Sequence, residues 1–468
     1  MLERIINQNQ KNRVAYKIND FELSYDELIE KAKFYGELLK KQGTSPIILY
    51  GHKDIDMFVS IFACIHSGRA YIPIDLCTPT ERINKIISCT NCKLIISNEN
   101  INVDNIDIKS LNELEQYKEQ PVNNIVNDIA YIIFTSGSTG DPKGVPISYS
   151  NLLNFIKWIN TLKPLNEYEN ITVLNQASFS FDLSVADVYY AISNGHTLVA
   201  LDKDNQEDYN NIFKIISENN INVLVITPTF IKLCMVNRDF NYINYPSIKS
   251  IYFCGEQLEV NTVKSLFERF PDVNVINAYG PTEATSAVSA VNITKEMLND
   301  ELLPCGDTNN FATEIDIVDD EIVLKGNSVF GGYLGEYIGG YYNENNINCF
   351  KTGDIGFINN NYLYCKGRKD SQIKYKGYRI ELTDIENNIY KIDGVKQCAV
   401  VAKYQNEFTV KMIKAFVVLE DGYNVDYIKE SLKKLIPLYM MPKQIIEMDS
   451  LPINCNGKID RKQLIDLW

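Results

Sequence analysis

A chain of 468 residues is too long for one ordinary hydrophobic core and points to two or more domains. Its 45% hydrophobic and 23% charged content are those of a soluble globular protein, and a formal net charge of -14 argues against nucleic acid or an anionic membrane surface as its partner. A polyanionic substrate would have to be held by local donors against an unfavourable overall field.

Met1 leads into a polar run with no visible signal sequence, and apolar runs such as Phe58 to Ile65 fall short of the ~18 residues that span a bilayer. Eleven scattered cysteines, mostly in apolar surroundings, fit free thiols in a reducing cytosol, so a cytoplasmic location is expected. Cys89 and Cys92 form a C-x-x-C, but no second pair or well-spaced histidine joins it into a zinc site.

In chain order, Ser24 to Gln42 fits a helix capped by Ser24, with Leu28, Ala32, Tyr35 and Leu39 on one face. Ile47 to Tyr50 reads as a strand, Asp56 to Ser67 as a buried helix, Lys93 to Ser97 and Ile129 to Phe134 as strands, and Ser150 to Leu162 as a helix. Strands Thr197 to Leu201, Val223 to Thr227, Ile248 to Phe253 and Val273 to Asn277 alternate with helices Asn210 to Glu218 and Val260 to Phe270. Such alternation predicts parallel α/β layers. From Asp307 the pattern turns to short strands (Glu314 to Val318, Glu321 to Lys325, Gly356 to Asn359, Tyr362 to Lys366), a β-rich subdomain. After Asp370 a third pattern begins, with a helix (Thr383 to Tyr390), strands (Ala399 to Lys403, Ile413 to Val418) and a helix (Asp426 to Leu435). The expected organisation is an α/β body over residues 1–370, made of layered α/β subdomains plus the β-rich one, and a small α+β domain over 371–468.

Residues Tyr131 to Gly144 read YIIFTSGSTGDPKG, an apolar run opening into Thr135, Ser136, Gly137, Ser138, Thr139 and Gly140, then Lys143. Small residues let backbone N–H groups and hydroxyls face phosphate oxygens, and Lys143 adds a charge. The lysine precedes Gly144 and no Ser or Thr, so this is not the G-x-x-x-x-G-K-[ST] loop. Alone, the stretch also has a less favoured reading as a plain surface turn.

Five further stretches carry candidate chemistry. Asn277 to Glu283 (NAYGPTE) follows a strand, where α/β folds place ligands; Tyr279 can stack on a flat ring, Thr282 can touch phosphate, and Glu283 can hold Mg²⁺. In Lys351-Thr352-Gly353-Asp354 the aspartate can accept ribose hydroxyls. Arg368 and Asp370 lie at the proposed joint, ahead of Gly377 to Glu381. Lys458 stands on an Asn-Gly turn, placed to be carried into a site by domain motion. Asp182 sits inside the apolar run FSFDLS and needs a cationic partner, either an internal Lys or Arg or a substrate ammonium group. Each stretch taken singly has a plain reading as a turn, a solvated charge or an internal ion pair.

Taken together and in this order, these stretches resemble the adenylate-forming superfamily from Tyr25 to Lys458, with Ile72-Pro73-Ile74-Asp75 similar to an early motif of that family. LNQASFSFDLSVADVY (Leu174 to Tyr189), ITPTF (Ile226 to Phe230), FCGEQL (Phe253 to Leu258) and YGPTEAT (Tyr279 to Thr285) look most like D-alanine–carrier protein ligases and the amino-acid adenylation domains of peptide synthetases. The resemblance implies ATP-dependent activation of a small amino acid, D-alanine first, as an aminoacyl-adenylate. Transfer to the phosphopantetheine thiol of a separate carrier protein would follow, since no carrier domain follows Lys458. The alternatives are a free-standing peptide-synthetase-type enzyme for another amino acid, or an acyl- or aryl-CoA ligase, which Asp182 disfavours.

By the same resemblance the loop from Thr135 to Gly140 and Lys143 would hold the β- and γ-phosphates of ATP. Thr282 and Glu283 would bind phosphate and Mg²⁺, and Tyr279 and Gly280 would line the adenine side. Asp354 and Arg368 would hold the ribose, and Lys458 would bridge carboxylate and α-phosphate. Asp370 would be the hinge of a mobile C-terminal domain, whose rotation would bring the Gly377 to Glu381 face toward the phosphopantetheine arm. Asp182 would bind the α-ammonium, and Leu183, Ala186, Tyr252, Cys254, Ala278, Ser286 and Ala287 would form the side-chain pocket. Ala186 and Ser286 depart from the larger and the apolar residue expected in D-alanine enzymes, which leaves the side chain and its chirality open. The Val318 to Glu321 connection is shorter than usual in the family, and Gly331 to Asn343 (GGYLGEYIGGYYN) is unusually rich in Gly and Tyr. Nothing in the sequence sets the oligomeric state.

Overall fold

The computed structural model describes residues 2–7, 12–103, 106–116, 128–137, 140–202, 208–335, 337–370, 372–405, 409–453 and 459–467. Two twisted sheets of mainly parallel strands form the body. One orders its strands Ser289–Ile293, Asn274–Tyr279, Ser250–Phe253, Val223–Ile226, Thr172–Asn175, Thr197–Ala200, Val14–Ile18 and Phe21–Ser24, antiparallel only at its two edges. The other runs Asp107–Lys109, Leu94–Ile96, Ile47–Tyr50, Tyr71–Ile74, Ile129–Thr135 and Lys143–Ser148, with only the last pair antiparallel. Strands buried on both faces need continuous apolar runs, which is why Val223–Ile226 and Ser250–Phe253 are buried at every position.

Helices begin where the sequence supplies caps. The helix expected from Ser24 runs Tyr25–Lys40, and Ser24 and Glu27 close a reciprocal capping box. Ser148 and Asn151 do the same for Tyr149–Ile159, and Asp54 caps Ile55–Ser67 through the Met57 N–H. Helix Leu183–Asn194 has no polar face, because Leu183 to Ile192 are all buried, so its sequence shows no helical period. The hairpin Val14–Ser24, strand Tyr71–Ile74 and helix Thr80–Thr90 also go beyond the sequence reading.

Lys53 ties this body together. It is fully buried and donates to the carbonyls of Asn175 (3.1 Å), Gln176 (2.6 Å) and Leu201 (2.8 Å), at the carboxyl ends of two adjacent parallel strands. Burial lowers its pKa to about 7, against the raising influence of Asp187, Asp75 and Asp202.

The β-rich region is an antiparallel sheet built on the long strand Ile347–Asn359. Its Glu314–Val318 and Glu321–Lys325 strands join through Asp319 and Asp320, both at positive φ (50° and 63°), as a two-residue turn that follows right-handed strand twist requires. Beyond it lie the hairpin Gln372–Tyr375/Tyr378–Glu381, helix Leu382–Tyr390, and a sheet of Val395–Tyr404, Val410–Leu419 and Gln444–Glu447. These share a separate apolar cluster that includes Ile385, Ile389, Val400, Val417 and Leu432. No described helix is long and apolar enough to cross a membrane.

Candidate active site

The loops after the parallel strands meet in one crevice, the usual ligand position in such sheets. Thr135 ends its strand and pairs with Lys143 across the loop. Only glycine fits at 137, where a Cβ would stand 2.0 Å from the Asp141 carbonyl, and Gly140 adopts φ +80°. Ser138 and Thr139 lie outside the described residues. The Ser136 hydroxyl donates to the Arg379 carbonyl (3.1 Å) and accepts from the Glu381 N–H (3.0 Å), while the Gly137 N–H donates to Asp384 (3.3 Å). The Lys143 ammonium donates to the Tyr337 hydroxyl at 2.7 Å, lies 4.0 Å from that ring's centre, and is 3.9 Å from Glu381.

Opposite, Gly280 packs so closely that a Cβ would stand 2.5 Å from the Ala287 Cα. Thr282–Ala284 form one turn of 3₁₀ helix, and Thr285 and Ser286 follow at positive φ (63° and 70°), a strained pair directly beside the proposed pocket. Glu283 is 1% exposed and accepts from Tyr333 OH and the Arg379 guanidinium, each at 2.5 Å. Burial pushes its carboxyl up, but the Arg379 charge and its hydrogen bonds outweigh this and hold it below the ordinary range. A buried carboxylate already facing a cation suits a hard metal ion, so the residue present fits Mg²⁺. In this arrangement the guanidinium meets it.

Tyr279 donates to Asp354 (2.6 Å), whose other oxygen takes the Arg368 guanidinium (2.8 Å); Arg368 also makes two bonds of 2.8 Å to Asp370. Beside them lies a cavity of about 240 Å³ lined by Gly255, Ala278, Tyr279, Asp354, Arg368 and Lys374. Its flat ring and carboxylate–guanidinium wall match what a nucleoside needs. Asp370 also accepts from the Gln372 N–H (3.2 Å), between the β-rich sheet and the hairpin.

Asp182 stands at the start of helix Leu183–Asn194 without capping it. It accepts a hydrogen bond from Thr282 Oγ1 at 2.5 Å, so the hydroxyl expected on phosphate serves the carboxylate here. Burial raises the Asp182 pKa to about 6; the Thr282 bond and the charges of Arg379 and Lys374 oppose it only in part. Among the described residues no lysine or arginine comes within 4.0 Å of it, and the Arg379 and Lys374 charges act from farther off. Leu183, Ala186, Tyr252, Cys254, Ala278, Ser286 and Ala287 are all buried, and the Cys254 thiol faces the Ser286 carbonyl at 3.9 Å. The hydroxyls of Tyr252 and Ser286 are buried with no hydrogen-bond partner among the described residues.

Lys458 lies outside the described residues. The other described candidates converge, joined by three residues that sequence reasoning assigned no role: Arg379, Tyr333 and Tyr337. Arg379 sits in a stretch the motifs marked, whereas only the excess of Gly and Tyr signals the tyrosines. The hairpin tip closes over the crevice: Gly377 N–H donates to Glu256 (2.7 Å), and Phe181 and Tyr378 pack at 5.6 Å.

Residues 2–334 match the AMP-binding enzyme family and residues 384–458 the AMP-binding enzyme C-terminal domain. A D-alanine–D-alanyl carrier protein ligase of Listeria monocytogenes is 38% identical over 489 aligned residues, covering 96% of this chain and 95% of the relative. The Staphylococcus epidermidis ligase of that name is 37% identical, covering 98% and 97%. In fold, the chain superposes on the Vibrio cholerae adenylation domain AlmE, solved with glycyl-adenosine-5'-phosphate, with a TM-score of 0.83 at 23% identity, covering 100% of this chain and 96% of that one. It also matches a nonribosomal peptide synthetase protein containing adenylation and PCP domains, with a TM-score of 0.81 at 21% identity, covering 97% and 81%. With the family match spanning residues 2–334 and a 38% identical relative covered almost end to end, the chain belongs to the adenylate-forming AMP-binding enzymes.

Proposed function

We propose that the protein couples ATP to the carboxylate of a small amino acid, D-alanine first, and passes the aminoacyl group to the phosphopantetheine thiol of a separate carrier protein in the cytoplasm. The observation that carries this reading is Asp182, a half-buried carboxylate with no direct ion pair among the described residues, beside a small pocket of buried side chains. A substrate ammonium would complete the pair, whereas an acyl or aryl acid would leave the charge unmatched. The names of the curated relatives support the same chemistry.

In the first half-reaction a carboxylate oxygen attacks the α-phosphorus and pyrophosphate leaves. Two anionic groups must meet, so alignment and charge neutralisation carry the catalysis. Asp182 would fix the ammonium end. The N–H groups and hydroxyls of the loop from Thr135 to Gly140, with Lys143, would take the β- and γ-phosphates. Asp354 and Arg368 would hold the ribose beside Tyr279 and Gly280. Thr282 is positioned to orient Asp182, and Lys458 would bridge the reacting oxygens. Glu283 would hold Mg²⁺, which when bound offsets triphosphate charge.

With the hairpin placed as here, Arg379 engages Glu283 and the strand Tyr378–Glu381 engages Ser136. Nucleotide with its metal therefore requires the hairpin to withdraw. This supports residues 371–468 as a mobile domain hinged at Asp370, with the Gly377 to Glu381 face toward the carrier arm in the second half-reaction. Amino-acid-dependent exchange of pyrophosphate into ATP, run on D- and L-amino acids and aryl acids, tests the reading. D-Alanine should give the strongest exchange, and stimulation by aryl acids alone would overturn it. A second reading, a small hydroxylated amino acid such as serine, is favoured by the unpartnered Tyr252 and Ser286 hydroxyls, and serine belongs in the same panel.

A further inference from the structure

The Gly- and Tyr-rich stretch after Phe330 is built against the triphosphate side of the crevice. Its backbone is anchored there: the Phe330 N–H donates to the Glu283 carbonyl (2.8 Å) and the Leu334 N–H to the Gly144 carbonyl (3.0 Å). Its rings form one edge-to-face chain, with Phe330 to Tyr333 at 4.8 Å and Tyr333 to Tyr337 at 4.9 Å. The glycines make room for them. A Cβ at Gly339, where φ is +56°, would stand 2.7 Å from the Tyr337 ring and 2.8 Å from the Tyr333 ring; one at Gly144 would stand 2.8 Å from Leu334. Each phenol ends on one of the two opposite charges of the site: Tyr333 OH on Glu283 Oε1, and Tyr337 on Lys143 by both hydroxyl and ring face.

We infer that Tyr333 and Tyr337 are positioning residues for the triphosphate end of the nucleotide; this rests on the proposed ATP-dependent activity. Lys143 is a long side chain, and holding its ammonium costs rotamer entropy unless something restrains it. The Tyr337 ring fixes the ammonium through its face while its oxygen takes one N–H, leaving two N–H groups for phosphate oxygens. Tyr333 occupies one Glu283 oxygen and leaves the other, now on Arg379, as the one open to a cation. The phenols thus pre-set donor and acceptor before nucleotide arrives, the form of pre-organisation that raises affinity without a new direct contact. Tyr337 is 36% exposed, so its ring can be removed without opening a core cavity.

The test compares binding of ATP and of AMP to Y337A, Y337F and Y333F by titration calorimetry with Mg²⁺ present, together with thermal midpoints and the exchange assay. AMP lacks the β- and γ-phosphates and serves as the internal control. The expected result is a five- to tenfold weaker ATP affinity for Y337A, a smaller loss for Y337F because the ring face remains, and unchanged AMP affinity in both. Y333F should raise the Mg²⁺ concentration needed for half-maximal ATP binding several-fold, with the KM for the amino acid unchanged. Unaltered ATP affinity in all three variants, or equal weakening of ATP and AMP, would overturn the inference. Absence of ATP binding by the unaltered protein would instead strike the parent reading, and the inference with it.

Discussion

Asp182 is a carboxyl whose pKa burial lifts to about 6, and two consequences follow with opposite signs. In the empty site the folded protein holds the proton more tightly than the unfolded chain does. The group therefore favours folding below about pH 4, and that contribution fades as pH rises through 6. For the proposed amino-acid substrate the ionised form would be the binding form. The KM for the amino acid in the exchange assay should rise as pH falls below about 6, approaching roughly tenfold per unit, while the KM for ATP shows no such limb. Asp182→Asn should raise the amino-acid KM roughly 30-fold or more and remove the limb, since a buried charge loses its partner. An unchanged KM in that variant would remove Asp182 from ammonium recognition.

On the proposed reading, the position of the hairpin Gln372–Tyr375/Tyr378–Glu381 would decide which half-reaction the site can run. Gly377 turns it at φ +85°, with room so tight that a Cβ would stand 2.8 Å from Thr227 Cγ2. Gly377→Ala should hinder docking, so thioester formation from pre-made adenylate should fall at least tenfold with amino-acid-dependent exchange largely kept. Equal loss in both assays would mean general damage.

At this scale the legibility of the sequence divides along physical lines. Elements bounded by caps or by short apolar runs were readable: the predicted helix at Ser24, the strand Ile47–Tyr50 and the Glu314–Val318/Glu321–Lys325 hairpin all stand close to where the pattern puts them. Helix Leu183–Asn194 was not, because burial on every side erases the period. The hairpin's reach into the crevice was not either. Arg379 and Glu283 are 96 residues apart, and no local pattern reports a long-range ion pair. Residue types in the Thr135 to Lys143 loop and at Asp182 were legible because their chemistry is unusual in an apolar context. The partners of Lys143 and Glu283 came only from tertiary packing, as did the contact between Thr282 and Asp182.

For the molecule as a whole, the separate apolar cluster beyond Ile373 would let the C-terminal part keep its own packing through the rotation proposed for it. That face is largely polar: Arg82 meets Asp384 at 3.4 Å, Lys391 and Lys85 both approach Asp141, and Asn388 donates to the Gly140 carbonyl. Polar contacts of this kind re-form with water at small net cost, so the interface suits repeated making and breaking. Lys458→Ala should nearly abolish exchange, by roughly a hundredfold or more, while transfer from pre-made adenylate to a phosphopantetheine thiol survives. Comparable loss of both would count against a moving domain.

If Glu283 holds a divalent ion as proposed, it cannot serve the Arg379 guanidinium at the same time, and the two occupants would be rivals for a single seat. Reciprocity then fixes a quantity: whatever factor the seated arginine takes from metal-nucleotide affinity, metal-nucleotide takes from hairpin closure. Expelled pyrophosphate that returned with its ion would slow loading of the thiol, and a cell that cleared pyrophosphate quickly would in effect ratchet each turnover forward.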